Sequence, residues 1–170
     1  MAKREPVQLS SRQNSEKQTV HHFVWTVGAI GVHLEEVYRV WAKSLGVSVP
    51  QWMILMALSD FDEGHGVRVN EVSKILQVDP SFVTTQSKLL EKQGYLRRKA
   101  SPHDARAVQT SLTDKAVKEL AKLRAQQEKI FNFVFSEFND REFEKLLKGL
   151  SLLKDRLEKA SVMAGLNLGD

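Results

Sequence analysis

Between Asp79 and Leu112 the side-chain pattern changes period, and that change constrains the fold more than any other feature of the chain. The run "DPSFVTTQSKLLEKQGYL" is a helix with both ends written in. Asp79 suits the N-cap, Pro80 the first helical position, and Gly94 the stop. Phe82, Val83, Leu89 and Leu90 form the expected inward face, leaving Ser81, Thr84, Thr85, Gln86 and Lys88 outside. After Gly94 the period drops to two. Tyr95, Arg97 and Lys99 alternate with Leu96 and Arg98, and beyond a polar turn over Ser101 to Ala105 the alternation resumes at Val108, Thr110 and Leu112. A helix followed by a two-stranded ribbon is therefore expected.

Further helices surround this centre. In "TVHHFVWTVGAIGVHLEEVYRVWAKSLG", Phe23, Val27, Ile30, Leu34, Val37 and Trp41 trace one apolar stripe, closed by Gly46. "VPQWMILMALSDFDEG" is a second helix, with Pro50 in its first turn and Gly64 and Gly66 after it. "RVNEVSKILQV" is a third, with Asn70 as the expected N-cap and Val72, Ile75 and Leu76 on one face. Only Gln77 to Asp79 separates it from the helix at Pro80, the spacing of a helix-turn-helix. Two long apolar stripes close the chain. They run from Ala116 through Leu120, Leu123 and Ile130 to Val134, and from Phe143 through Leu146, Leu147, Leu150 and Leu153 to Leu157. Such faces require a covering surface, either a second copy of the chain or the first helix of the same protomer.

Charge localises the partner. The net charge is +4 over 170 residues, and residues 68 to 106 hold eight Lys/Arg against four Asp/Glu, so the rest of the chain balances. A concentrated positive segment suits a polyanion. Hydroxyls, an amide and an ammonium on an exposed helix face suit base edges and phosphates. Arg97, Arg98 and Lys99 are the expected phosphate anchors. Arg106 at the ribbon tip suits a minor groove, with Asp104 bracing it and His103 beside the backbone.

Several classes lose support. There is no cysteine, so thiolate metal sites and cysteine redox switches are excluded. No nucleophile elbow, phosphate-cradling glycine loop or metal triad is present, which leaves an enzyme without a carrier for its chemistry. His21, His22, His33 and His65, with Glu36 and Glu63, lack a compact ligand motif, so neither metal nor cofactor is expected. The N-terminus is polar and no run reaches the ~18 apolar residues of a membrane helix. A soluble, cytoplasmic protein without a membrane partner is the expectation.

The run "GYLRRKASPHDARAVQTSLTDKA" resembles the wing of the MarR family of winged helix-turn-helix transcriptional regulators. Gly94, Leu96, Arg97, Asp104, Arg106, Leu112 and Thr113 match its pattern, and Ala116 departs from the usual glycine. The helix order is similar over nearly the whole chain. The resemblance implies a mainly α fold with a small β-hairpin wing, as a single MarR-like domain over 1–170. Within it a flexible segment covers 1–17, dimerisation helices 18–46 and 114–163, and a winged helix-turn-helix lobe 50–113. It also implies a homodimer on double-stranded DNA, a repressor released from a pseudo-palindromic operator by a small-molecule effector. A ligand cleft would lie beside the first helix, where His22, Trp25 and Arg39 share a flank. Trp52, Met53 and Met56 would add apolar wall, and Arg39 would hold the head group of an aromatic carboxylate or its thioester. The competing readings are a helical protein-interaction module without DNA binding, and a metal-responsive regulator of the same fold.

Overall fold

The computed structural model describes the backbone of residues 7–101 and 104–167 and the side chains of residues 17–100 and 108–165. Six helices and three short strands follow in the order α1 (Val7–Ser44), α2 (Val49–Phe61), β1 (Val67–Arg68), α3 (Val69–Leu76), α4 (Pro80–Lys92), β2 (Leu96–Ser101), β3 (Asp104–Leu112), α5 (Asp114–Phe135) and α6 (Asp140–Asn167). Helix α1 reaches into the stretch 1–17 that the sequence reads as a flexible lead-in.

The chain divides into two compact units, residues 1–122 and 123–170. The core of the first is built from helix ends and strand faces. Trp41 and Ala42 of α1 meet the apolar side of α2, where Trp52, Ile54, Leu55 and Leu58 are almost fully buried. The Trp41 and Trp52 rings lie 5.8 Å apart. Val72 of α3, Val83 and Leu90 of α4, Leu96 of β2 and Ala116 of α5 complete it, each less than 4% exposed. Ala116, the departure from the family pattern, is fully buried, so its methyl is a packing element of the first turn of α5.

Each helix end has a local cause. Ser48 caps α2 in a capping box: its Oγ accepts from the Gln51 N–H, and Gln51 Oε1 accepts from the Ser48 N–H. Helix α3 starts two residues earlier than expected. Arg68 is its N-cap, with Glu71 Oε2 accepting from the Arg68 N–H at 3.0 Å, and Asn70 lies inside the helix. A carboxylate three residues into a helix satisfies an orphan donor as well as a capping side chain does. Helix α4 ends in a Schellman motif, where the Gly94 N–H donates to Glu91 O and the Tyr95 N–H to Leu90 O, both at 2.9 Å. Gly94 has φ +77°, which a side chain at this position would resist.

The strands form one antiparallel sheet in the order β1-β3-β2. Leu96 pairs with Leu112, Arg98 with Thr110 and Ala100 with Val108, and a bulge between Ala100 and Ser101 leads into the Ser101–Asp104 pair. Two residues of β1 add a third edge through Val67–Thr110, where Thr110 Oγ1 donates to Val67 O at 3.0 Å. A two-residue strand has no readable period, which is why the sequence pattern did not reveal it.

In the second unit, Asn139 and Glu142 cap α6 reciprocally, with Asn139 Oδ1 accepting from the Glu142 N–H at 3.0 Å. The Phe135 and Phe143 rings meet edge-on at 5.0 Å across the turn. Leu146, Leu150, Leu153 and Leu157 stay exposed along α6, as Phe23, Val27 and Ile30 do along α1.

Candidate nucleic-acid interface

Helix α4 has two sharply different sides. Val83, Ser87 and Leu90, spaced four and three apart, are wholly buried. Ser81, Thr85 and Lys88, with the same spacing, are exposed, while Thr84 and Gln86 are partly covered at the edges. The buried row fixes the helix on the core and so fixes where the polar row points. Phe82 and Leu89 differ from the expected inward set: they are 39% and 41% exposed, because the inward row is centred on Ser87 instead. The Ser87 hydroxyl becomes buriable by donating to Thr84 O at 3.1 Å.

The turn before α4 is tight. Gln77 has φ 54°, the left-handed region, and the Val78 N–H returns to Ser73 O at 3.0 Å. Asp79 Oδ1 then accepts from the Ser81 N–H at 2.7 Å. Hydrogen bonds from Ser81, first from its side chain and then from its backbone, hold the Asp79 carboxyl below its ordinary range.

Beside α4, the ribbon sorts its cations by face. Arg97 and Lys99 point outward. Arg97 reaches Asp114 at 3.4 Å, but both side chains are more than half exposed, so this ion pair contributes little and leaves the guanidinium available. Arg98 faces the other way. Its side chain is 13% exposed and lies 3.8 Å from Glu91, and its Nε is buried without a hydrogen-bond partner among the described residues. His103 lies outside the described residues. Asp104 and Arg106 belong to β3, and their side chains are likewise outside the description.

Thr113 ties ribbon and helices together. Its hydroxyl donates to Gly94 O at 2.8 Å and accepts from the Ala116 N–H at 3.2 Å, which caps α5 and closes the loop after α4 with one side chain. The Tyr95 hydroxyl donates to Leu45 O at 2.8 Å, and Lys115 Nζ sits 4.2 Å over the Tyr95 ring while donating to Gln93 O. The ribbon is thereby anchored to the end of α1.

A cavity of about 420 Å³ lies behind the helix-turn-helix, lined by Glu35 and Tyr38 of α1, Pro50 and Met53 of α2, Val78 of the turn and Phe82 of α4. Burial pushes the Tyr38 phenol up from its ordinary value, so it stays protonated at neutral pH. Of the residues expected at a ligand cleft, Met53 lines this cavity. Trp52 is packed in the core beside Trp41, with its Nε1 buried and without a hydrogen-bond partner among the described residues. Met56 is half-buried on α2, and His22 and Trp25 are exposed on α1. Arg39 donates to Glu35 Oε1 at 2.9 Å. The cavity uses the 35/38 flank of α1, one residue from the 36/39 flank suggested by the stripe of His22, Trp25 and Arg39.

Among the described residues, no group of three His, Cys, Asp or Glu is placed to hold a metal ion, and no helix is long and apolar enough to cross a membrane.

A tight turn joining α3 to an outward-faced α4, with a basic ribbon alongside, defines a winged helix-turn-helix. Comparison with known proteins narrows this class. The MarR family model matches residues 45–107. BilQ, an HTH-type transcriptional regulator of Clostridioides difficile, is 34% identical over 94 residues, covering 55% of this chain and 64% of that protein, so the match spans just under two thirds of that relative. YfiV, an HTH-type transcriptional regulator of Bacillus subtilis, is 30% identical over 121 residues, covering 71% of this chain and 72% of its own length. The crystal structure of the Staphylococcus aureus MepR–DNA complex superposes with a TM-score of 0.70 at 16% identity, over 79% of this chain and 96% of that one. The chain belongs to the MarR family of transcriptional regulators. These relatives are regulators, not enzymes.

Proposed function

We propose that this protein is a homodimeric repressor that binds a pseudo-palindromic site on double-stranded DNA and leaves it when a small effector binds. The observation that carries the reading is the two-sided α4: a buried row of Val83, Ser87 and Leu90 holds Ser81, Thr85 and Lys88 outward. A helix so held fits the major groove, and two copies related by a twofold would meet half-sites about one helical turn apart. Arg97 and Lys99 then meet phosphates, and Arg106 enters the adjacent minor groove. Dimerisation in this reading covers the apolar rows left exposed on α1 and α6.

The effector in this reading is a small aromatic acid or its thioester. Its apolar body would fill the cavity between Met53, Pro50 and Phe82, and its carboxylate would draw Arg39 from Glu35. Phe82 belongs to α4, so a ligand that fits better when α4 is displaced lowers DNA affinity by that difference in binding.

Gel shifts at fixed salt against the DNA flanking the protein's own gene test the proposal. Wild type shifts a discrete fragment, and Arg106→Ala weakens that binding roughly tenfold with an unchanged unfolding midpoint. Equal affinity of the two proteins would remove Arg106 from the interface. No shift with any fragment would refute DNA binding and favour a protein-interaction module.

A further inference from the structure

We infer that the outward face of α4 selects A·T base pairs, with Thr85 as the residue that discriminates; this rests on the DNA-binding reading above. The reason is where the hydroxyl hydrogens go. A hydroxyl has one hydrogen to donate. The Thr84 hydroxyl donates it to Pro80 O at 2.9 Å, and the Thr85 hydroxyl to Ser81 O at 3.0 Å. Along the exposed side of α4 the hydroxyls are therefore turned into the helix, and an outside partner meets a threonine methyl and an oxygen that can only accept.

Base edges respond differently to that pairing. In the major groove guanine presents two acceptors, N7 and O6, which an accepting oxygen repels. Adenine offers its N6 donor, and thymine across the pair offers its C5-methyl, so one A·T pair satisfies both halves of a threonine whose hydrogen is committed. Cytosine also donates, but its pair has no methyl. Gln86, partly exposed on the next position, has the amide that bonds adenine N6 and N7 together. Arginine is absent from α4, and Lys88, one turn further along the exposed row, can read guanine only at the position under itself, so the A·T preference belongs to the pair that faces Thr85. Thr85 is the exposed threonine of the two, which makes it the one in reach of a base edge.

Selection of bound duplexes from a random library by the full-length protein tests this. The expected half-site has A·T pairs under Thr85 and Gln86. Replacing the thymines there by uracil removes one methyl contact and weakens wild-type binding about fourfold. Thr85→Ser, which lacks the methyl, binds the thymine and uracil duplexes equally. Thr85→Val keeps the preference for thymine over uracil and, on uracil duplexes, where no methyl contributes, loses the preference for A·U over G·C. Selection of a G·C pair under Thr85, or a wild type indifferent to uracil, overturns the inference while leaving DNA binding in place. Failure to enrich any duplex overturns the DNA-binding reading and this one with it.

Discussion

Thr113 shows how much one side chain can hold. Its hydroxyl serves as the cap of α5 and as the closure of the loop after α4. Thr113→Val keeps the shape and removes both bonds, and it is expected to lower stability by about 1–2 kcal/mol in urea unfolding. An unchanged midpoint would mean water replaces them. The three adjacent cations of the ribbon should separate by effect. Arg97→Ala or Lys99→Ala removes an exposed charge, so each lowers the salt slope of DNA binding by about 1 and leaves unfolding unchanged. Arg98→Ala acts the other way, lowering the unfolding midpoint and moving the slope least, because its side chain is largely buried beside Glu91. Sequence alone grouped the three. Alternation places Arg98 opposite its neighbours, but which face of a ribbon is covered depends on α4, and a period of two carries no sign.

At the scale of elements, α4 was the most legible part of the chain, since Asp79, Pro80 and Gly94 mark its ends. Its inward face was less so. Phe82 and Leu89 are apolar and Ser87 is not, yet Ser87 is the buried one, because its hydroxyl finds Thr84 O within the helix. For α2 the sequence reading placed Pro50 in the first turn and left the capping box of Ser48 and Gln51 to the structure, and β1 was too short to show. The cap of α4 makes a pH prediction. The folded-state pKa of Asp79 is depressed, so its contribution is fully present above the unfolded value of 3.8 and is lost as pH falls below it. Urea unfolding between pH 5 and pH 3 should lose stability more steeply in wild type than in Asp79→Asn, which keeps a capping oxygen without the titration. Parallel pH profiles would contradict this. Gly66 gives a steric test of the sheet. Its φ is +77°, and an added Cβ would lie 3.2 Å from Thr110 O, so Gly66→Ala should cost about 1–3 kcal/mol.

For the whole molecule, the apolar rows were legible as faces but not as interfaces, since periodicity specifies a side of a helix and not what covers it. Leu150 and Leu153 remain about 40% exposed on α6, alongside Leu157 at 64%. A Leu153→Glu change should give a monomer by sedimentation and, with it, lose DNA binding while the helix-turn-helix core stays folded. The cavity behind the helix-turn-helix was legible only in part: Met53 lines it, as do Tyr38 and Phe82, which converge on it from elements far apart in the chain. The central claim, that two protomers set two α4 helices in successive major grooves, is most directly tested by spacing. A duplex carrying the selected half-sites should bind two protomers cooperatively. Inserting about five base pairs between them, half a helical turn, should abolish that binding by placing the second half-site on the opposite side of the duplex. Equal affinity and the same two-protomer stoichiometry on both duplexes would contradict the account.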